Sequence, residues 1–499
     1  MRPLRLVALL LAVLAAGCTT LARNEGAEPA PAPPAGAVAD VEIAGSGKGA
    51  GERSPACGRA PAGRDCAPLR SAPVPAAPAA APRIQHWTTP NGARVYFVET
   101  RELPMVDVRV VFAAGSARDG GKAGLAALTA ALLDQGAGGR SADAIAEALE
   151  GVGAVLGTES LRDMAVVSLR TLSEPRLAEV AYGVLADVIA RPDFRPADFE
   201  RQRARMEVGL RIALQRPGEL AERAFYRAVY GDHPYASPPG GTPESVRALT
   251  REDVVAFHRR WYVARNAVVA IVGDLDRTAA ERLARRIVAG LPAGEPAPPL
   301  PPVRPLARAR TVRIAHPSAQ AHVWVGQPGM RRGDPDYFAL YVGNHVLGGS
   351  GLTSRLFKAV REARGLSYSV YSYFFPMSAE GPFVAALQTE ARQAAEALAV
   401  LRAELERFVR EGPTEAELVA AKRNITGGFP LRIDSNRRIT EYVAMIGFYG
   451  LPLDWLERFN ERVEAVTAAQ VREAFRRRLR PGRMVTVIVG PPGAGTPSD

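Results

Sequence analysis

Two side chains seven positions apart, Arg361 and Tyr368 in VREARGLSY, offer chemistry most directly. A guanidinium and a phenol both donate hydrogen bonds, and together they can steady a carbonyl oxygen as it gains negative charge. By residue type alone they read as a helix-end arginine and a strand tyrosine with structural roles. The six histidines are His86, His233, His258, His316, His322 and His345, and no two are three or four positions apart. That spacing would set two imidazoles on one helical face around a metal ion. His316 and His322 lie six apart in a strand region and could approach only through a turn. The three cysteines, Cys18, Cys57 and Cys66, exclude a disulfide-dense scaffold and a Cys-rich zinc module. No Gly-x-Ser-x-Gly, Walker loop or Cys/His nucleophile signature is present. The Gly-rich Leu347–Leu352 (LGGSGL) has no following Lys and no phosphate-binding context, so it reads as a tight turn permitting close helix approach.

The elements that must position these groups follow from periodicity. Gly92–Glu99 and Val106–Ala113 read as strands, and Ala154–Thr171 as a hairpin. Lys122–Gln135, Ala142–Val152, Glu174–Ala190, Pro196–Ala213, Pro217–Tyr230 and Arg251–Tyr262 read as helices. The apolar strand Ala267–Val272 and a helix at Thr278–Ala289 close this half. The pattern then restarts, with strands at Arg310–Ala315, Ala321–Val325, Tyr368–Phe375 and Pro382–Gln388, and helices at Asp336–Leu347 and Ser354–Glu362.

The halves repeat one another. VRALTREDVVAFHRRWYVARNAVVAIVG from Val246 aligns without gaps with VEAVTAAQVREAFRRRLRPGRMVTVIVG from Val463, an offset of 217. Tyr230-Gly231 and Tyr449-Gly450 match at 219. Each unit is long enough to bury its own core. We therefore expect a unit at 83–289, a stiff Pro-rich linker at 290–306 and a second unit at 307–493. Hydrophobic residues at 47% and charged residues at 23% exclude global disorder. The net charge of +11 is carried almost wholly by arginine, the only lysines being Lys48, Lys122, Lys358 and Lys422. The densest run, RRRLR at Arg476–Arg480, reads as a solvated face, with attraction to anionic lipid or an acidic partner as the alternative.

Residues 1–18 read as a signal peptide: Arg2 and Arg5, a short apolar core, then small residues before Cys18. This resembles a bacterial lipobox, which implies lipidation at Cys18. Thr19 follows, not Asp, which points to the outer membrane, with the body facing the periplasm. Residues 19–82 form an Ala/Pro/Gly/Ser-rich tether that cannot bury a core. Cys57 and Cys66 within it are nine apart, and an oxidising periplasm would allow them to bridge. No nucleic-acid motif is present.

The order of features over about residues 85–495 resembles the M16 metallopeptidases, the group of insulinase and mitochondrial processing peptidase. NGARVYFVE, the GLA at Gly124, DFERQRARME, WYVARNAVVAIVGD and LGGSGLTSRLFKAVREARGLSYSVYS carry the resemblance. It implies an α+β fold of two homologous two-layer α/β units, related by duplication and facing each other across a cleft that takes extended peptides. Active members carry His-x-x-Glu-His on the helix after Gly-Leu-Ala. Here those positions are Ala127, Ala130 and Ala131, and the distal zinc-binding Glu falls close to Gly209. Val208 and Gly209 cannot bind metal, and Glu207, two residues away, points about 200° around the helix. Arg361 and Tyr368 match the pair that the family's second half contributes to the zinc-bearing half. The resemblance thus implies no cofactor in this chain, zinc in a separate partner subunit, and peptide substrates. The expected function is that of a zinc-less subunit in a periplasmic heterodimeric peptidase. The alternatives are a stand-alone envelope lipoprotein that binds peptides without cutting them, and an enzyme with a metal site of its own.

Overall fold

The computed structural model describes residues 82–495. The signal segment, nearly all of the tether, and Cys18, Cys57 and Cys66 lie outside the described residues.

The first half opens with β1 (Gln85–Thr88), β2 (Arg94–Glu99) and β3 (Met105–Phe112), then α1 (Leu125–Leu132). A short pair, β4 (Gly136–Ala137) and β5 (Arg140–Ser141), precedes α2 (Ala142–Glu150), the hairpin β6 (Val155–Ser160) and β7 (Ala165–Leu172), and α3 (Pro175–Ala190). Four more helices follow: α4 (Pro196–Ala213), α5 (Pro217–Tyr230), α6 (Pro243–Arg247) and α7 (Arg251–Trp261). The half closes on β8 (Ala267–Gly273) and α8 (Arg277–Val288). Helices α3 to α6 each begin on proline, whose fixed φ suits a first turn where no N–H is needed.

The second half runs β9 (Arg310–Ala315), β10 (Gln320–Met330), α9 (Tyr337–Asn344), α10 (Arg355–Phe357), β11 (Ser369–Phe374) and β12 (Gly381–Glu390). Helices α11 (Ala394–Glu411), α12 (Glu415–Gly428), α13 (Asn436–Tyr449), α14 (Phe459–Glu464) and α15 (Ala468–Arg478) precede β13 (Val485–Gly490).

The strand orders make the duplication explicit: β1-β2-β8-β3-β7-β6 in one sheet and β11-β12-β10-β13-β9 in the other. In each, the closing strand runs parallel to one neighbour and antiparallel to the other: β8 between β2 and β3, β13 between β9 and β10. Two capping boxes, Thr250 with Asp253 and Thr467 with Gln470, sit at aligned positions. The fold is the expected mixed α/β architecture of two related units.

The closing strands β8 and β13 are buried on both faces, which explains their unbroken apolar runs. On β8, Ala267, Val269 and Ile271 join the core beneath the first half's own helices, while Val268, Ala270 and Val272 join a different cluster. That second face is covered by α13, a helix of the other half. Reciprocally, Phe225, Tyr226 and Val229 of α5 cover Trp324, Val384 and Val487 of the second sheet. The halves therefore exchange helices, and neither buries its whole core alone as the length of each unit led us to expect. Two glycines permit the close approach. A Cβ on Gly447 of α13 would lie 2.5 Å from the Tyr96 ring, and one on Gly326 of β10 would lie 2.8 Å from the Phe225 ring.

A buried carboxylate joins the halves further. Asp163, in the β6–β7 turn, accepts from the Tyr235 hydroxyl at 2.5 Å, the Ser378 N–H at 2.7 Å and the Tyr449 hydroxyl at 3.1 Å. The linker is strapped to the body: Leu291 is buried, and Leu300, Val303 and Leu306 pack against the α5 cluster.

Candidate functional site

Helix α1 forms from an Ala/Leu run of high helix propensity. Its N-cap, Gly124, has φ +94°, and its first turn is closed by a side chain five residues upstream. The Asp119 carboxylate accepts the Gly124 and Ala126 N–H groups, each at 2.8 Å. Burial pushes Asp119 up to about 7, against the pull of those two donors. The helix is thus firmly built, but Ala127, Ala130 and Ala131 present only methyl groups, and Ala130 is buried. Helix α4 lies alongside α1. Gly209 is exposed, with open space where a Cβ would project. Glu207 is held by Arg211 and Arg247, which keep its carboxyl below the usual range. This donor set does not fit a zinc ion, which needs three or four N, O or S ligands. Among the described residues no group of three His, Cys, Asp or Glu could hold a metal.

The histidines are taken up singly by the fold. His258 and His345 are buried, and burial pushes each down to about 4. His258 contacts the Ile189 carbonyl at 3.0 Å, His233 that of Pro301 and His316 that of Gln215, both at 2.9 Å. His86 stacks edge-on against Tyr96, and His322 is buried in β10.

Arg361 and Tyr368 do meet. After α10 the helix widens into a π turn over Lys358–Glu362, where the Ala363 N–H donates to the Lys358 carbonyl at 2.9 Å. Arg361 projects from this turn, and Tyr368 stands just before β11. The guanidinium carbon lies 4.4 Å from the centre of the Tyr368 ring and 4.8 Å from that of Phe357. Tyr368 is 73% exposed. Both side chains retain free donors, since neither makes a hydrogen bond among the described residues.

The support beneath the pair was not legible beforehand. Arg355 binds Glu417 bidentately at 2.7 and 2.6 Å, tying α10 to α12. Burial opposes ionisation of Glu417, but Arg355 and Thr414 hold it down to about 2. The Gly-rich turn rests on β11: a Cβ on Gly348 would lie 2.4 Å from the Ser372 hydroxyl. The Asn344 amide closes the contact, donating to the Ser372 carbonyl at 2.8 Å and accepting from its hydroxyl at 2.7 Å. Asn344 and Ser372 are 28 residues apart, and no sequence signal links them. The close-approach reading of LGGSGL fits this geometry. The arginine run is only partly a solvated face. Arg477 and Arg478 grip Asp336, and Arg478 also grips Asp334, at 2.6–3.2 Å.

Two duplicated α/β halves, a helix α1 with no metal donor at Ala127, Ala130 or Ala131, and a stacked Arg361–Tyr368 pair are the features of a metallopeptidase homologue. A model for insulinase (peptidase family M16) matches residues 94–242, and one for the peptidase M16 inactive domain matches 248–425. A Mycobacterium bovis protein named as an uncharacterized zinc protease is 31% identical over 434 residues, covering 84% of this chain and 96% of that protein. A Helicobacter pylori protein named as a non-peptidase homolog is 26% identical over 391 residues, covering 76% and 87%. The crystal structure of a peptidase M16 inactive domain from Pseudomonas fluorescens superposes with a TM-score of 0.80 at 40% identity, covering 83% of this chain and all of that one. A Helicobacter pylori protease shares the fold, with a TM-score of 0.76 at 20% identity. The chain belongs to peptidase family M16. Within it, the chain is homologous to non-catalytic members.

Proposed function

We propose that this chain is the zinc-less subunit of a heteromeric M16 peptidase on the periplasmic side of a bacterial membrane. It supplies Arg361, Tyr368 and one wall of the peptide chamber to a zinc-bearing partner. The observation that carries this reading is the contrast between the two halves. The ligand positions hold Ala127, Ala130, Ala131 and Gly209, while Arg361 is stacked on an exposed Tyr368 with its donors unused. In this reading the guanidinium and the phenol donate hydrogen bonds to the oxygen of the scissile peptide carbonyl. The N-terminal lipid at Cys18 anchors the chain, preferentially in the outer membrane.

The test is reconstitution with a zinc-bearing M16 protein from the same cell. Peptide cleavage should appear only in the mixture. Arg361→Ala and Tyr368→Phe should each lower kcat by about 10²-fold while leaving the complex intact. Full activity in both variants would refute the assigned roles. Labelled fatty acid should enter the wild type and not Cys18→Ser.

A second reading is a stand-alone peptide-binding lipoprotein. The exposed Val208 and Ile212 on α4, beside Gly209, favour it, because they give the former ligand face an apolar character. Tight peptide binding by the isolated chain, with no cleavage in any mixture, would select it.

A further inference from the structure

We infer that the arginine-lined groove between the ends of α11 and α15 is a docking site for an extended, acidic segment of a partner protein. At the offset of 217, α7 coincides end for end with α15, Tyr262 with Leu479, and the turn Ala264–Asn266 with Pro481–Arg483. In the first half this turn is a seat occupied by the linker. Ala264 N–H donates to the Pro292 carbonyl at 2.8 Å and Arg265 N–H to that of Ala293 at 3.0 Å. The Ala297 N–H returns to Asn266 Oδ1 at 3.1 Å. Gly290 lies against Ala190 at the end of α3, Gly294 lies on Val263, and Glu295 pairs with Arg265 at 3.4 Å. An extended, proline-rich strand with an acidic side chain is therefore what this seat accommodates.

The corresponding place in the second half is an open groove of about 460 Å³. Val409 and Leu479 line it together with Arg476, Arg480 and Arg483, and Arg410 lines an adjoining hollow. Glu406 lines the adjoining hollow. Arg410 pairs with Glu411 at 2.7 Å, and Arg480 folds onto the Arg476 and Leu479 carbonyls. Arg476 and Arg483 have no carboxylate partner among the described residues, in contrast to the Arg477 and Arg478 clamp next to them. Pro481 has no N–H where Ala264 donates one, so backbone pairing is weaker here and recognition passes to the guanidinium groups. These arginines, beside Val409 and Leu479, select an acidic chain with small apolar or proline side chains.

Fluorescence anisotropy of labelled peptides on the whole protein tests this. The probes copy residues 290–301 of the linker, in an acidic form (Ala293→Glu, Ala297→Glu) and a basic form (Glu295→Lys, Ala297→Lys). The acidic peptide should bind saturably, at least about tenfold more tightly than the basic one, and more weakly as salt rises. Arg476→Glu with Arg483→Glu should weaken it at least about tenfold, and Arg483→Ala, a mild change in an exposed turn, several-fold. Equal binding of both peptides, or undiminished binding by either variant, would overturn the assignment. So would phosphatidylglycerol vesicles captured through these arginines when the acidic peptide is not.

Discussion

Asp119 accepts two backbone N–H groups from outside α1, and nothing else caps the start of that helix. Asp119→Ala leaves both donors unpaired in a buried place, and should cost about 1–3 kcal/mol in urea unfolding. Two buried histidines set the acid limit. His258 and His345 lie at about 4 in the fold, against 6.5 in the open chain. Between those values the unfolded chain takes up protons that the native chain refuses. Their contribution is complete above pH 6.5 and is lost as pH falls towards 4, by on the order of 1–3 kcal/mol each. Asp119, raised to about 7 from 3.8, acts with the opposite sign, its contribution being lost as pH rises through that window. Across these three groups the balance is a net loss on acidification. Thermal melts from pH 7 to 4.5 should show it, and His258→Gln should show a smaller slope.

At the scale of elements, the Arg/Tyr pair depends on how the α9–α10 segment lies on β11. Gly348→Val would drive a side chain into Ser372 and break the Asn344 contact. We expect the Arg361–Tyr368 stack to loosen, seen as altered near-ultraviolet circular dichroism, with a loss of about 1–3 kcal/mol. Glu417→Ala should act more gently on the same segment, by releasing the partly buried Arg355. A steady stack in Gly348→Val would show that the pair is positioned from elsewhere.

For the whole molecule, the exchange of α5 and α13 makes folding of the halves interdependent. A fragment of residues 82–306 would expose Tyr96, Val98, Val268, Ala270 and Val272, the face α13 covers. It should bind 1-anilinonaphthalene-8-sulfonate and lack a sharp melt, while co-expression with 307–495 should restore both properties. The intact chain should unfold in one transition. Asp163→Ala, which releases three donors at the junction, should speed amide exchange in both halves together.

The sequence alone determined the duplication, most element positions and the lack of donor side chains at Ala127, Ala130, Ala131 and Gly209. These are local properties: a 217-residue offset is readable in aligned letters, and alanine has no lone pair wherever it folds. It marked Arg361 and Tyr368 only through the resemblance of their flanking segment, since by residue type they read as a helix-end arginine and a strand tyrosine. Tertiary structure alone decided which half each helix covers, since α5 and α13 carry apolar faces that fit either sheet in pattern. It decided that Arg477 and Arg478 are clamped while Arg476 and Arg483 are not, because the aspartates concerned lie over 140 residues away. It also brought Asn344 to Ser372 and Tyr235 to Asp163. Each of those contacts joins polar groups by geometry, and geometry of that kind leaves no period or spacing in a chain.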